Sequence, residues 1–215
     1  MRRIAFGLAT MMFLLALPAV SSASAKLQVG FLDNAYAASD PTAFWQDAIR
    51  LHVGFARWDV QWDDVAPSKP ANPRDPSDPA YHWTFTDNFV RQAAEHGLQD
   101  RVMLTLWTTP HWASSTGATR ARVTQMPRLK PWRDFVFACA KRYSGHYTPP
   151  GASSPLPRVV AWETWNEPNA NFAFRPQFQN GVAVSPRNYV QLLKAVRYEV
   201  GRAVPFKPIF VAGAM

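Results

Sequence analysis

Residues 162–169 read Trp-Glu-Thr-Trp-Asn-Glu-Pro-Asn. Two carboxylates and two indole rings sit within eight positions. A pair of carboxyl groups can cleave a glycosidic bond. One protonates the leaving oxygen, and the other attacks the sugar or activates water. Exposed indoles offer flat faces on which sugar rings stack. The stretch from 158 to 167 begins as an apolar run, Val159-Val160-Ala161-Trp162, and Pro168 stops it. It reads as a strand with Glu167 at its C-terminal tip. Regular pleating then puts Glu163, Trp165 and Glu167 on one side. Four residues at roughly 3.3 Å each separate the two carboxylates by about 13 Å. Retaining hydrolysis needs roughly 5 Å between its carboxyl groups and inverting hydrolysis roughly 6.5–9.5 Å. Glu163 and Glu167 are therefore not a catalytic pair. Glu163 is expected to be a buried structural group, hydrogen-bonded to a neighbour such as Arg57.

The surrounding elements must position Glu167. Strands are expected at 26–34, 53–62, 101–107, 158–167 and 208–213, each a nearly continuous apolar run. Helices are expected between them. One opens at Asp40-Pro41, with Asp as N-cap and Pro in the first turn. One starts near Thr84, with Asp87 in a capping-box-like position and Gly97 as C-terminal cap. A third runs from Pro131 to about Tyr143, and a fourth from Ser185-Pro186. Alternating strands and helices with strands buried on both faces imply a parallel α/β sheet. An open doubly wound sheet and a (β/α)8 barrel both fit. No G-x-G-x-x-G follows the first strand, so dinucleotide binding has no support. The long loops at 66–80, 108–130 and 168–184 all follow strands, the connections that carry active sites in barrels.

Composition sets the remaining bounds. The chain has 215 residues, 47% of them hydrophobic, which is a globular composition. Arg2 and Arg3, the apolar stretch 4–20 and Ala23-Ser24-Ala25 read as a secretory signal spanning 1–25. The run is short for a membrane span, so no stable span is expected after cleavage, and a secreted or periplasmic location follows. The formal charge of +8 falls to +6 without Arg2 and Arg3, and no run of five basic residues occurs. Nucleic acid is not an expected partner. The single cysteine, Cys139, excludes an intrachain disulfide and a cysteine-based metal site. It lies among Phe135 and Val136 on a helix and reads as a buried thiol.

A resemblance sharpens this reading. Trp165-Asn166-Glu167-Pro168-Asn169 at the end of a fourth strand resembles the acid/base motif of clan A glycoside hydrolases, nearest to family 39 and the cellulase-like family 5. Gly54-Phe55-Ala56-Arg57-Trp58 through Trp62 and Pro67 is similar to their second-strand pattern. Leu104-Thr105-Leu106-Trp107 through Pro110, His111 and Trp112 is similar to their third-strand end. The resemblance covers nearly all of the chain after the signal. It implies a (β/α)8 TIM barrel and retaining hydrolysis of a β-linked oligo- or polysaccharide without metal or organic cofactor. Glu167 would be the general acid/base, a task favoured by a raised carboxyl pKa. Asn166 would bind the sugar 2-hydroxyl, and Arg57 would hold the nucleophile ionised. Trp107, His111 and Trp112 would line the sugar subsite; the two tryptophans read equally as core.

The family pattern takes its nucleophile, a second glutamate, from strand seven. Only about five strands are expected here, and Glu199, the one glutamate after Glu167, falls on a helix expected outside the barrel. The sequence reads as the N-terminal part of a glycosidase, a barrel truncated after about strand five, with self-association through open sheet edges. The alternative is a non-catalytic carbohydrate-binding protein or an inactive truncated pseudoenzyme.

Overall fold

A computed structural model describes residues 29–116 and 123–213. The expected signal segment and residues 26–28 of the expected first strand lie outside the described residues. The elements run β1 (Gly30–Phe31), α1 (Asn34–Ser39), α2 (Pro41–Arg50), β2 (Phe55–Gln61), α3 (Trp62–Val65), α4 (Thr84–Glu95), β3 (Val102–Trp107), a 3-10 turn (His111–Ala113), α5 (Leu129–Arg142), β4 (Ala161–Thr164), the hairpin strands β5 (Phe178–Gln179) and β6 (Val182–Ala183), α6 (Ser185–Ala203) and β7 (Ile209–Ala212). Five strands form one parallel sheet in the order β1-β2-β3-β4-β7. The expected α/β architecture is present.

Period two divides the sheet into two faces. On β2, Ala56, Trp58 and Val60 are buried, while Arg57, Asp59 and Gln61 alternate with them and are half-buried. On β3, Val102, Leu104 and Leu106 face the same way as Ala56 and Trp58. Helices cover that apolar face. Trp62, Trp83, Trp132 and Phe135 fill the space beneath, with Trp62 stacked on Phe135 at 4.9 Å and 13°. The opposite face carries polar layers that run across the strands. Asp59 pairs with Thr105, and Thr105 with Glu163.

Helix starts follow the local chemistry in part. Asp40 accepts the Ala43 N–H at 3.0 Å, and Pro41 occupies the first turn of α2, as expected. Gly97 takes the left-handed conformation (φ 78°) beyond α4. Asp87 makes no cap on α4. It instead accepts Arg142 Nε at 2.8 Å and Nη2 at 2.6 Å, with the Tyr143 hydroxyl at 2.9 Å. A bidentate guanidinium is worth more than a cap to one backbone amide. Cys139 is fully buried, and burial pushes its thiol far above the usual range.

Two strands are shorter than expected. The first covers only Gly30–Phe31, because Asp33 accepts the Tyr36 N–H and starts α1 at once. The Asn34 side chain then does a strand's work. Its amide donates to the Asp59 carbonyl at 2.8 Å and its oxygen accepts the Asp59 N–H at 3.1 Å. The fourth strand ends at Thr164, three residues before Glu167. Glu199 lies on α6, buried on the far side of the sheet between Arg74 and Arg133.

Candidate active site at the end of the fourth strand

The pleat of β4 breaks at Trp165. Its N–H still donates to the Leu106 carbonyl at 2.8 Å, which extends the ladder by one bond. Its φ of 64° then turns the chain. The ring leaves the polar face and packs edge-on against Trp132 (5.9 Å) and Phe174 (5.1 Å), with its indole N–H on the Ala173 carbonyl. Trp165 therefore does not share a side with Glu163, and the separation of about 13 Å between Glu163 and Glu167, which assumed a straight strand, loses its basis. Glu167 is also left-handed, with φ 46°. Non-glycine residues in this region cost on the order of 1–3 kcal/mol each and persist where the surroundings enforce them.

The enforcing contacts are specific. The Tyr189 hydroxyl of α6 donates to the Thr164 carbonyl at 3.0 Å and accepts the Gly213 N–H at 2.5 Å. A β-carbon at Gly213 would stand 2.7 Å from the Trp165 carbonyl, so only glycine fits beside the turn. Burial raises the Tyr189 phenol, opposed by the Gly213 amide and reinforced by the charge of Glu163, so it remains a donor at neutral pH.

Below the turn lies a charge network centred on Arg57. Its Nε lies 2.8 Å from Glu163 Oε2 and 2.6 Å from Thr105 Oγ1. Thr105 donates to the same Glu163 oxygen at 2.5 Å. The Arg57 Nη2 reaches Asn166 Oδ1 at 3.0 Å and Asp59 Oδ1 at 3.1 Å. The Asp59 contact is an ion pair without hydrogen-bond alignment. Burial raises the Asp59 carboxyl, partly offset by Arg57 and Thr105. Glu163 is thus the buried partner of Arg57. The guanidinium also fixes Asn166, because an amide whose oxygen accepts from Arg57 has its NH2 free to donate elsewhere. Glu167 follows directly and is half-buried.

The remaining candidates sit on neighbouring strand ends. Trp107 closes β3 on the polar face opposite Gln61, half-buried, its indole N–H unpaired among the described residues. Thr108, with φ 64°, turns the chain there. His111 begins the 3-10 turn and is exposed. Trp112 donates to the Ala66 carbonyl at 2.8 Å and meets Trp62 edge-on at 5.4 Å, so its ring is at least partly structural. A cavity of about 630 Å³ opens beside Asp59, lined among others by Asn34, Trp58, Gln61, His82 and Phe85. A larger cavity, about 800 Å³, lies where the chain enters the strands, near Gln99, Arg158 and Phe206. Barrel chemistry occupies the opposite end of the strands, which favours the Asp59 side. Among the described residues no group of acidic, histidine or cysteine side chains is suited to a metal ion. None of their helices is long and apolar enough to cross a membrane.

Thr105, Asp59, Tyr189 and Gly213 were not singled out by the sequence. Strand register alone would have exposed Thr105, since Asp59 and Glu163 flank it across adjacent strands. Tyr189 sits on the apolar face of a helix, and nothing in its spacing marks its hydroxyl.

Solved structures share this fold. A glucosidase from Croceicoccus marinus matches at 17% identity and TM-score 0.53, over 80% of this chain and 33% of its own. A monomeric β-xylosidase from Caulobacter crescentus CB15 matches at 18% and 0.53, over 83% and 34%. The GH39 enzyme from Xanthomonas axonopodis pv. citri matches at 18% and 0.56, over 88% and 34%. The five-stranded parallel sheet and its helices are of the (β/α)8-barrel type and match part of such a barrel. The chain spans about a third of the length of these glycosidases. No protein-family model matches the sequence, and no curated protein does.

Proposed function

We propose that this chain is the N-terminal part of a secreted, retaining clan A glycoside hydrolase acting on a β-linked oligo- or polysaccharide. The observation that carries the reading is the Arg57–Asn166 clamp immediately before Glu167, at the C-terminal end of a parallel strand. The glycosidase names of the similar structures support the same class.

In this reading a nucleophilic carboxylate attacks the anomeric carbon while Glu167 gives its proton to the departing oxygen. The ionised Glu167 then takes a proton from water, which hydrolyses the glycosyl ester and regenerates both groups. Asn166, oriented by Arg57, donates to the sugar 2-hydroxyl, a contact that strengthens at the transition state. Arg57 spends one edge on Glu163 and keeps the other towards Asn166, where it also favours a nearby carboxylate in its charged form. The nucleophile is proposed to come from residues outside this sequence. Glu199 is unsuited, since two guanidinium groups hold it on the helix side of the sheet.

The test uses the longest reading frame that contains this sequence. The wild type should hydrolyse β-glucosides or β-xylosides, and Glu167→Gln should lose about 10²–10⁴-fold in kcat on substrates with poor leaving groups. Unchanged hydrolysis in the variant would defeat the assignment. Saccharide binding with no hydrolysis in the wild type would instead favour the non-catalytic carbohydrate-binding reading.

A further inference from the structure

The outer surface of α5 and α6 sorts charge by sign. On α5, Lys130, Arg133 and Lys141 are exposed. On α6, Arg187, Lys194, Arg197 and Arg202 are exposed. The acids of these helices, Asp134 and Glu199, are buried. Arg74 and Lys130 hold the first, and Arg74 and Arg133 hold the second. Every exposed charge on the two helices is therefore positive. At 100° per residue the four cations of α6 fall within one arc of about 140°, and they run along about 23 Å of the helix. None of the four forms an ion pair among the described residues. The other side of α6, with Leu192, Val196 and Val200, is buried in the core. Val190 and Tyr198 are exposed among the cations, at 44% and 52%. The Arg133 and Arg202 guanidiniums stand 4.9 and 5.3 Å from the Tyr198 ring, which ties the two helices into one face.

We propose that this two-helix face docks the protein on an anionic phospholipid surface. Like charges gathered on one face, with no exposed acid among them, sum to a positive field that draws in anions. A cluster of four to eight Lys and Arg on an amphipathic helix suits a layer of lipid phosphates, whose mobile headgroups adapt to the spacing of the cations. The face is broad because two neighbouring helices build it, which fits a surface better than a single polymer strand. Val190 and Tyr198 place an aliphatic and an aromatic side chain at headgroup level, where such groups add to the electrostatic attraction. The contact is peripheral, because α6 keeps its apolar side in the core and its cations outward.

The experiment is vesicle cosedimentation of the longest reading frame that contains this sequence, with vesicles of phosphatidylcholine alone or mixed with phosphatidylglycerol. The protein should bind only the anionic vesicles at low salt and should be released at high salt, which screens the attraction. Each basic residue at such a surface contributes a factor of about five, so Lys194→Gln combined with Arg197→Gln should bind roughly 25-fold more weakly. Arg50→Gln combined with Arg101→Gln removes the same charge near the β1–β2 edge of the sheet and should bind as the wild type does. All four side chains are exposed, so both variants keep the fold. Three results would overturn the proposal. The first is no binding to anionic vesicles. The second is binding that the α6 variant leaves unchanged, or that both variants weaken equally, since net charge alone would then be at work. The third is tighter binding to polygalacturonate or duplex DNA than to vesicles of equal anionic charge.

Discussion

At the scale of single residues, the account turns on Arg57 and what it holds. Glu163 is buried with only 4% of its side chain exposed, and Arg57 and Thr105 are among its partners. Removing one member of a buried pair leaves an uncompensated charge and costs about 3–5 kcal/mol. Arg57→Ala should therefore lower the unfolding free energy in urea titration by that order, while Arg57→Ala combined with Glu163→Gln should recover part of the loss. A double variant no more stable than the single one would mean the two groups are not coupled. Trp107 makes a different prediction. Its ring lies on the polar face with an unpaired indole N–H, so Trp107→Phe should weaken saccharide binding several-fold with little change in stability. Trp112→Phe removes the bond to Ala66 and should lower stability by about 1 kcal/mol. Equal binding losses at the two positions, measured by calorimetry, would contradict the distinction.

At the scale of elements, α5, α6 and the loop between α3 and α4 are joined by a clamp. Glu199 accepts from Arg74 and Arg133, and Arg74 also reaches Asp134 at 3.1 Å. Burial would raise the Glu199 carboxyl, but the two guanidinium groups outweigh it and hold it below the usual range. A depressed carboxyl stabilises the fold above its ordinary pKa and loses that contribution as pH falls through the folded value. Glu199→Gln should therefore be less stable than the wild type by about 1–3 kcal/mol at neutral pH. The two should converge in acid, below the ordinary glutamate range. A gap that persists at low pH would show that packing, rather than charge, is what Glu199 supplies. Element order and the polar end of the sheet were legible in the sequence because buried parallel strands leave long apolar runs. The Asp40-Pro41 start was legible because a cap is a local bond. The turn at Trp165 was not. It depends on Tyr189 and Gly213, which arrive from 24 and 48 residues later in the chain and brace the Thr164 and Trp165 carbonyls. The role of Asp87 was missed for the same reason, since Arg142 outbids a local amide only once α4 and α5 are packed.

At the scale of the whole molecule, the described sheet has β1 and β7 at its edges. On β7, Ile209 is 58% exposed and Phe210 37%. Apolar edge strands invite pairing with another chain. Expressed alone, these 215 residues should self-associate in sedimentation velocity, and a monodisperse monomer would contradict that expectation. In the proposed reading, catalysis belongs instead to a closed barrel that supplies the nucleophile. The central claim is that Glu167 is the acid/base. The most direct measurement is azide rescue of Glu167→Ala in the longest reading frame, using an aryl β-glycoside whose good leaving group needs no proton. The account predicts slow turnover, restored by azide with formation of a β-glycosyl azide, because the small anion needs no general base. Wild-type turnover without azide, or an azide product of inverted configuration, would contradict it.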